Sequence, residues 1–235
     1  YVVAHRGAHR DTPENTLAAY RKAIELGVDY VEVDLRTTRD GHIVSIHNST
    51  VDAYTAERRG AVKDLTLAEL QAMDIGSRVG PKWRNERVPT FDDILQLCKG
   101  KVGIYLDLKD APVDKLIAMI HAREMERHVL WYASPVDLKR VRERCRRCIL
   151  MPDPGPEQFL PRLLEYWQPK VVASVWRHYS PQFVQTCHAA GAKVIVDESD
   201  PGCWQDAVEW GSDGIQTDHP ARLIAFLKEQ TEDEQ

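Results

Sequence analysis

The stretch "VEVDLRTTRDGHIVSIHN", residues 31–48, carries two kinds of signal at once. In its first five residues Val31, Val33 and Leu35 alternate with Glu32 and Asp34. Successive side chains of a strand point to opposite faces, so the two carboxylates share one face near the strand's C-terminal end. Asp40-Gly41 then sits between two β-rich runs, a strong hairpin signal. With Asp40 and Gly41 as the two loop residues, Arg39 faces His42 and counting outward sets His47 opposite Asp34. The stretch reads as an acid-bearing strand with an antiparallel return.

On either side, short β-branched runs alternate with helical patterns. Strands are predicted at 1–5, 29–35, 102–108, 128–133, 148–152, 170–175, 192–196 and 213–217. Helices are predicted near 15–26, 90–99, 112–124, 135–145, 156–167, 180–190, 201–210 and 219–229. Eight strands, mostly followed by helices, define an α/β chain with a parallel sheet wrapped by its crossovers. Eight such units in 235 residues favour a closed (β/α)8 TIM barrel. Residues of approximately 49–90 break the rhythm and read as a small insertion after the second strand and its hairpin, with one short helix over 66–73. The organisation expected is a single barrel domain over 1–230 and a disordered tail over 231–235.

Composition narrows the partners. A net charge of −5 argues against nucleic acid. No run approaches the ~20 apolar residues of a membrane helix, so no integral membrane contact is expected. The five cysteines (98, 145, 148, 187 and 203) read as reduced thiols, and the lone Cys145-x-x-Cys148 as ordinary packing. A cytoplasmic location is the expectation, compatible with removal of an upstream signal segment.

Several residues fall where a barrel puts its chemistry, at the C-terminal ends of strands. Inward-facing Glu32 and Asp34 would be costly there without a cation or hydrogen bonds, and carboxylates with water oxygens suit Mg²⁺ or Ca²⁺. Asp107 and Lys109 end the strand "IYLDLKD", as a third carboxylate and a fixed positive charge for a substrate anion. His5 ends the first strand, and His47 is brought to the same mouth by the hairpin. Two histidines beside a cation site suit a general acid and a general base. Pro13 to Thr16 turns into the next helix with Asn15 or Thr16 as its cap, while Glu14 is anchored near His5. His9-Arg10 reads as rim or solvent.

The ordered series "HRGA", "PENTLAAY", "VEVDLRTTRDGHIVSIHN", "VKDLTLAEL", "VPTFDDIL", "YLDLK" and "GSDGIQTDHPARL" resembles the glycerophosphodiester phosphodiesterase family over nearly the whole chain. The resemblance implies a (β/α)8 barrel and metal-dependent hydrolysis of a glycerophosphodiester to an alcohol and glycerol 3-phosphate. It implies His5 and His47 as the acid/base pair, Glu32, Asp34 and Asp107 as ligands of Mg²⁺ or Ca²⁺, and Arg6, Lys109 and Glu14 near phosphate or metal. The partner implied is a small-molecule phosphodiester; no oligomeric state follows. Two departures stand out: His47 is followed by Asn48 where the family has Asp, and "VDES" (196–199) replaces a Trp-Thr-Val-Asn segment. Asp197 is therefore expected to enter the mouth, with Trp131 and Trp176 as candidates to rebuild an apolar pocket wall. The alternatives are a phospholipase D of the sphingomyelinase D or lysophospholipase D type, and a degenerate barrel that only binds phosphate.

Overall fold

The computed structural model describes residues 1–233, with nine strands: β1 (Val2–Ala4), β2 (Tyr30–Thr37), β3 (Ile43–Ser45), β4 (Gly103–Leu108), β5 (Val129–Tyr132), β6 (Ile149–Leu150), β7 (Val171–Val175), β8 (Lys193–Asp197) and β9 (Gly214–Thr217). Between them lie α1 (Leu17–Leu26), α2 (Leu67–Ala72), α3 (Phe91–Cys98), α4 (Val113–Ala122), α5 (Pro135–Arg144), α6 (Leu160–Trp167), α7 (Pro181–Ala189), α8 (Trp204–Glu209) and α9 (Pro220–Asp233). Eight strands are parallel in the order β6-β5-β4-β2-β1-β9-β8-β7, and β3 hangs antiparallel on β2. Ala173 N donates to Pro152 O at 3.0 Å, which brings the two ends of the sheet together into a nearly closed barrel. This is the TIM barrel expected from the strand–helix rhythm.

Alternation along the strands builds two apolar layers. Val3, Tyr105, Leu130, Met151, Ala173 and Ile195 fill the barrel interior. Their sequence neighbours Ala4, Leu106, Val129, Trp131 and Val194 face outward against the helices. Both faces are covered, which is why these strands read as near-continuous apolar runs. Helix α3 shows the helical half of the packing: Phe91, Ile94, Leu95 and Cys98 recur at the spacing of one face and are fully buried. Each such aliphatic or aromatic side chain contributes ~1.5–3 kcal/mol on burial. Thr90 caps its N-terminus in a capping box with Asp93. The segment between β3 and α3 has its own apolar cluster, including Val51, Tyr54, Leu70 and Met73.

The hairpin register differs from the expected one. Leu35 pairs with Ser45, Arg36 with Val44 and Thr37 with Ile43, and Thr38 N donates to His42 O at 2.9 Å. The loop is therefore three residues, 39–41, not two. Asp40 Oδ1 accepts from Thr38 Oγ1 (2.6 Å) and from Leu67 N (3.0 Å), which ties the turn to α2 and leaves Gly41 to take the left-handed position at φ 80°. The one-residue shift puts Ile46, not His47, beside Asp34: Ile46 N donates to Asp34 O at 3.1 Å.

Two other expectations change. Cys145 and Cys148 form a disulfide, so they are not reduced packing residues, and the compartment argument loses that support. Spacing alone did not reveal that the chain turns between α5 and β6 and brings the two Cα atoms to 5.4 Å. Of the tail expected to be disordered, residues 231–233 continue α9, and 234–235 lie outside the described residues.

Gly7 fixes how the first loop meets α1. Its φ is 80°, and a Cβ there would lie 2.8 Å from the backbone carbon and Cβ of Ala19. Gly7→Ala is expected to lose about 1–3 kcal/mol of stability. A denaturation midpoint equal to the wild type's would contradict this packing. The α2 cap gives a second expectation. Backbone and hydroxyl donors of Thr66, then Arg58, hold the exposed Glu69 carboxyl down at about 2. A depressed folded value stabilises above the unfolded value of ~4.3 and is lost as pH falls towards about 2. Stability of Glu69→Gln relative to wild type should therefore converge as pH drops through that window; a constant difference would refute it.

Candidate active site

Register places the acids. Asp34 pairs with Asp107 across β2 and β4, and Glu32 lies two residues earlier on the same face. One oxygen from each of Glu32, Asp34 and Asp107 lies within 4.8 Å of the others. Glu32 and Asp34 are each 1% exposed, a large desolvation cost for charged groups that must be met locally. Burial first, then the neighbouring Asp34 and Asp107 carboxylates, pushes Glu32 well above its ordinary value. Burial also raises Asp107, against the pull of Lys109.

The chain supplies positive groups and donors from three directions. Arg6 N donates to Glu32 Oε2 at 2.7 Å, with Arg6 in the left-handed region at φ 52°. Its guanidinium lies 3.7 Å from Asp34 and 3.1 Å from Glu14. Lys109 Nζ sits 2.7 Å from Asp107 Oδ2 and 3.1 Å from Asp34 Oδ1. Burial works against both cations, but the surrounding carboxylates hold Arg6 and Lys109 above their ordinary values. Asn15, left-handed at φ 55°, donates from Nδ2 to Asp34 Oδ2 at 2.8 Å. Its Oδ1 accepts from Tyr20 (2.8 Å) and Ser45 (2.7 Å), which locks the amide in place.

This donor set fits a hard divalent cation. Three carboxylates converge, and the buried Asp34 Oδ1 has Lys109 nearby but no aligned hydrogen bond. Glu32, Asp34 and Asp107 could hold such an ion. Glu14 stands aside, bonded to Arg6, to Tyr54 (3.3 Å) and near Arg78 (3.7 Å).

The histidines approach from strand ends. His5 follows β1, where its backbone N–H donates to Thr217 O at 3.1 Å, and its Nδ1 lies 2.7 Å from Asp218 Oδ1. His47 is reached after β3 has ended. Arg36 clasps its carbonyl oxygen from Nε (3.0 Å) and Nη2 (2.7 Å). Its Nδ1 meets Asn48 Oδ1 at 2.9 Å, so Asn48 can orient the ring as a neutral acceptor. Both rings line one cavity of about 240 Å³ with Arg6, Asp107, Lys109 and Asp197. A larger hollow of about 600 Å³ on the α4–α5 flank, lined by Asp114, His121 and Arg144 among others, holds no such convergence.

Three expected placements are corrected. Trp131 is fully buried in the outer layer, because strand alternation gives the inward positions of β5 to Leu130 and Tyr132. Trp176 stacks on Trp210 at 5.1 Å rather than lining the cavity; Tyr105 and Tyr132 form its aromatic wall. His9 is not a rim residue in solvent: its Nε2 lies 3.0 Å from the same Asp218 oxygen that meets His5.

Asp218, and the contact of Asn15 with the acid cluster, are what the sequence pattern does not show. Hydrogen bonds with His5 and His9 hold Asp218 far below the usual carboxylate range. Its signal was its place immediately after β9 in "QTDHP", where a strand end meets the mouth. Of the two caps the sequence offers, Thr16 takes the role, and Asn15 turns its side chain to Asp34 instead.

A mouth of this kind has the groups to bind an anion and move protons, at the end where barrel enzymes react substrates. Residues 5–222 match the model of the Glycerophosphoryl diester phosphodiesterase family. A glycerophosphodiester phosphodiesterase of Caldanaerobacter subterraneus subsp. tengcongensis is 31% identical over 97% of each chain. A solved glycerophosphodiester phosphodiesterase from Agrobacterium tumefaciens superposes with a TM-score of 0.83 at 24% identity, covering 94% of this chain and 96% of that one. A phosphodiesterase of Oleispira antarctica, solved in complex with the product sn-glycerol-3-phosphate, also reaches 0.83 at 24% identity, covering 97% and 96%. The chain belongs to the glycerophosphoryl diester phosphodiesterase family and is a phosphoric diester hydrolase. No helix among the described residues is long and apolar enough to cross a membrane.

Asp218 fixes which nitrogen of His5 is left for the cavity, as an orienting carboxylate does in a catalytic triad. Asp218→Asn is expected to lower kcat on a glycerophosphodiester by ~10²-fold or more with the fold intact. Turnover at the wild-type rate would remove Asp218 from the site.

Proposed function

We propose that the chain hydrolyses glycerophosphodiesters to an alcohol and glycerol 3-phosphate, with His5 and His47 as base and acid and a divalent cation, Mg²⁺ or Ca²⁺, on Glu32, Asp34 and Asp107. The observation that carries this reading is the convergence of three carboxylate oxygens within 4.8 Å of one another at a cavity that both histidines line. A cation bound there supplies positive charge to a non-bridging phosphate oxygen as charge builds in the transition state.

The chain's own residues do the rest. Arg6 and Lys109 hold the remaining anionic oxygens by charge-assisted hydrogen bonds. His5 takes a proton from the attacking oxygen, and Asp218 at 2.7 Å stabilises the imidazolium that results. The new P–O bond forms as the P–O bond to the alcohol breaks. His47 delivers a proton to the departing alkoxide, with its ring held through Asn48. Glu14 acts on Arg6, 3.1 Å away, and so positions the guanidinium rather than touching phosphate.

His5→Ala and His47→Ala are each expected to reduce turnover of a glycerophosphodiester by ~10²–10⁴-fold, the usual worth of a proton-transfer group. Phosphate-ester hydrolysis at near wild-type rate in His47→Ala would end this assignment of roles.

A further inference from the structure

The α5 flank of the barrel carries a charge pattern that the chemistry above does not use. The run "KRVRERCRR", residues 139–147, holds six basic residues and one acidic residue in a chain whose net charge is −5. On α5, Val136, Lys139, Arg140, Glu143 and Arg144 recur at three- and four-residue spacing and are exposed, while Leu138 and Val141 pack into the core. The Cys145–Cys148 disulfide closes the turn that follows, and the Arg146 and Arg147 that it spans are exposed. These two line the hollow of about 600 Å³ on the α4–α5 flank together with Arg144. The acids of that hollow are already engaged, Asp114 by Arg140 at 2.5 Å and Glu126 by His121 at 2.7 Å.

Apolar surface accompanies the charge. Val136 is 79% exposed, Phe159 just before α6 is 51% exposed, and Tyr166 near the end of α6 is 53% exposed. Arg142 lies over the rings of Tyr166 and Trp167, 4.7 and 4.6 Å from their centroids, and ties α5 to α6 by donating to Tyr166 O at 3.2 Å. A soluble polyanion would pair with the arginines and leave Val136, Phe159 and Tyr166 in water. A bilayer of anionic phospholipid takes both: its phosphates meet the arginines, and its acyl boundary takes the apolar and aromatic side chains. Rings that are apolar at one end and wet at the other suit that boundary, and arginine stems bury along it. Salt screens the acidic remainder of the chain beyond ~8 Å, so the flank that touches the lipid decides the sign of the interaction. We propose that the α5–α6 flank is a peripheral docking surface for an anionic phospholipid bilayer. Val136 and Phe159 lie near the helix starts that follow β5 and β6, at the mouth end, whereas Arg144, Arg146 and Arg147 lie at the far end of α5. Docking therefore lays the barrel on its side with its mouth beside the lipid.

The test is co-sedimentation of the full chain with two kinds of vesicle, phosphatidylcholine alone and phosphatidylcholine with equimolar phosphatidylglycerol. The wild type should sediment with the second kind and not the first, and less so as salt is raised. Arg146→Gln and Arg147→Gln should each weaken binding about fivefold, the contribution of one basic side chain at an anionic lipid surface. Val136→Ser combined with Phe159→Ser should weaken binding to the anionic vesicles while leaving any binding to soluble polyglutamate unchanged, because only the lipid offers an apolar boundary. All these side chains are exposed, so the unfolding midpoints of the variants should stay near that of the wild type. The wild-type comparison of the two vesicle kinds needs no variant to fold. Equal sedimentation with both, sedimentation with neither, or unchanged binding in both arginine variants would overturn the docking surface. Capture by polyglutamate without capture by the anionic vesicles would overturn it in favour of an acidic polypeptide partner.

Discussion

The constraint on which the rest of the structure depends is the burial of carboxylates at the ends of β2 and β4. Glu32 and Asp34 are almost entirely removed from water, and Asp107 joins them within 4.8 Å. Such a group is unstable unless opposite charge and donors are held against it. The loops of the mouth can be understood from that requirement. Arg6 takes a left-handed conformation that turns its backbone N–H onto Glu32 while its side chain runs towards Asp34 and Glu14. Asn15 takes another and brings its amide to Asp34. Non-glycine residues adopt this region only where the surroundings enforce it, and here two of them flank the same acid cluster.

The same requirement joins distant parts of the chain. Asn15 is braced by Tyr20 of α1 and Ser45 of β3, so the helix after the first loop and the hairpin return are both tied to Asp34. Tyr54 from the segment beyond β3 meets Glu14 and the backbone of Asn48, so that segment touches both the Arg6 support and the His47 support. Asp218, from the far end of the chain, closes the ring against His5 and His9. A barrel suits this arrangement because parallel strands deliver side chains from separate sequence segments to one rim.

What was legible in the sequence follows from periodicity. Alternation in "VEVDL" put Glu32 and Asp34 on one face, and the strand–helix rhythm implied a barrel, because both depend on local spacing. What was not legible depends on quantities that spacing does not contain. The hairpin register turned on whether Asp40 is a loop residue or a side-chain tether to Thr38 and Leu67, a long-range hydrogen bond. Trp131 was expected at a pocket wall because it lies near a strand end, but inward or outward orientation depends on a phase that a four-residue strand of apolar residues does not reveal. Asn15 next to Thr16 gave two plausible caps, and only the tertiary position of Asp34 decides between them. His9 and Asp218 are separated by 209 residues, and nothing local announces their meeting.

If the acid cluster is a cation site, an ion on Glu32, Asp34 and Asp107 should stabilise the fold beyond what Arg6, Lys109 and Asn15 already supply. The most direct measurement is the unfolding midpoint of chelated protein titrated with Mg²⁺ or Ca²⁺, alongside hydrolysis of a glycerophosphodiester on the same samples. The account predicts that the midpoint rises with metal, by about 2.7 kcal/mol of stabilisation at a hundredfold excess over the dissociation constant, and that activity returns along the same curve. A flat midpoint together with full activity after exhaustive chelation would contradict it.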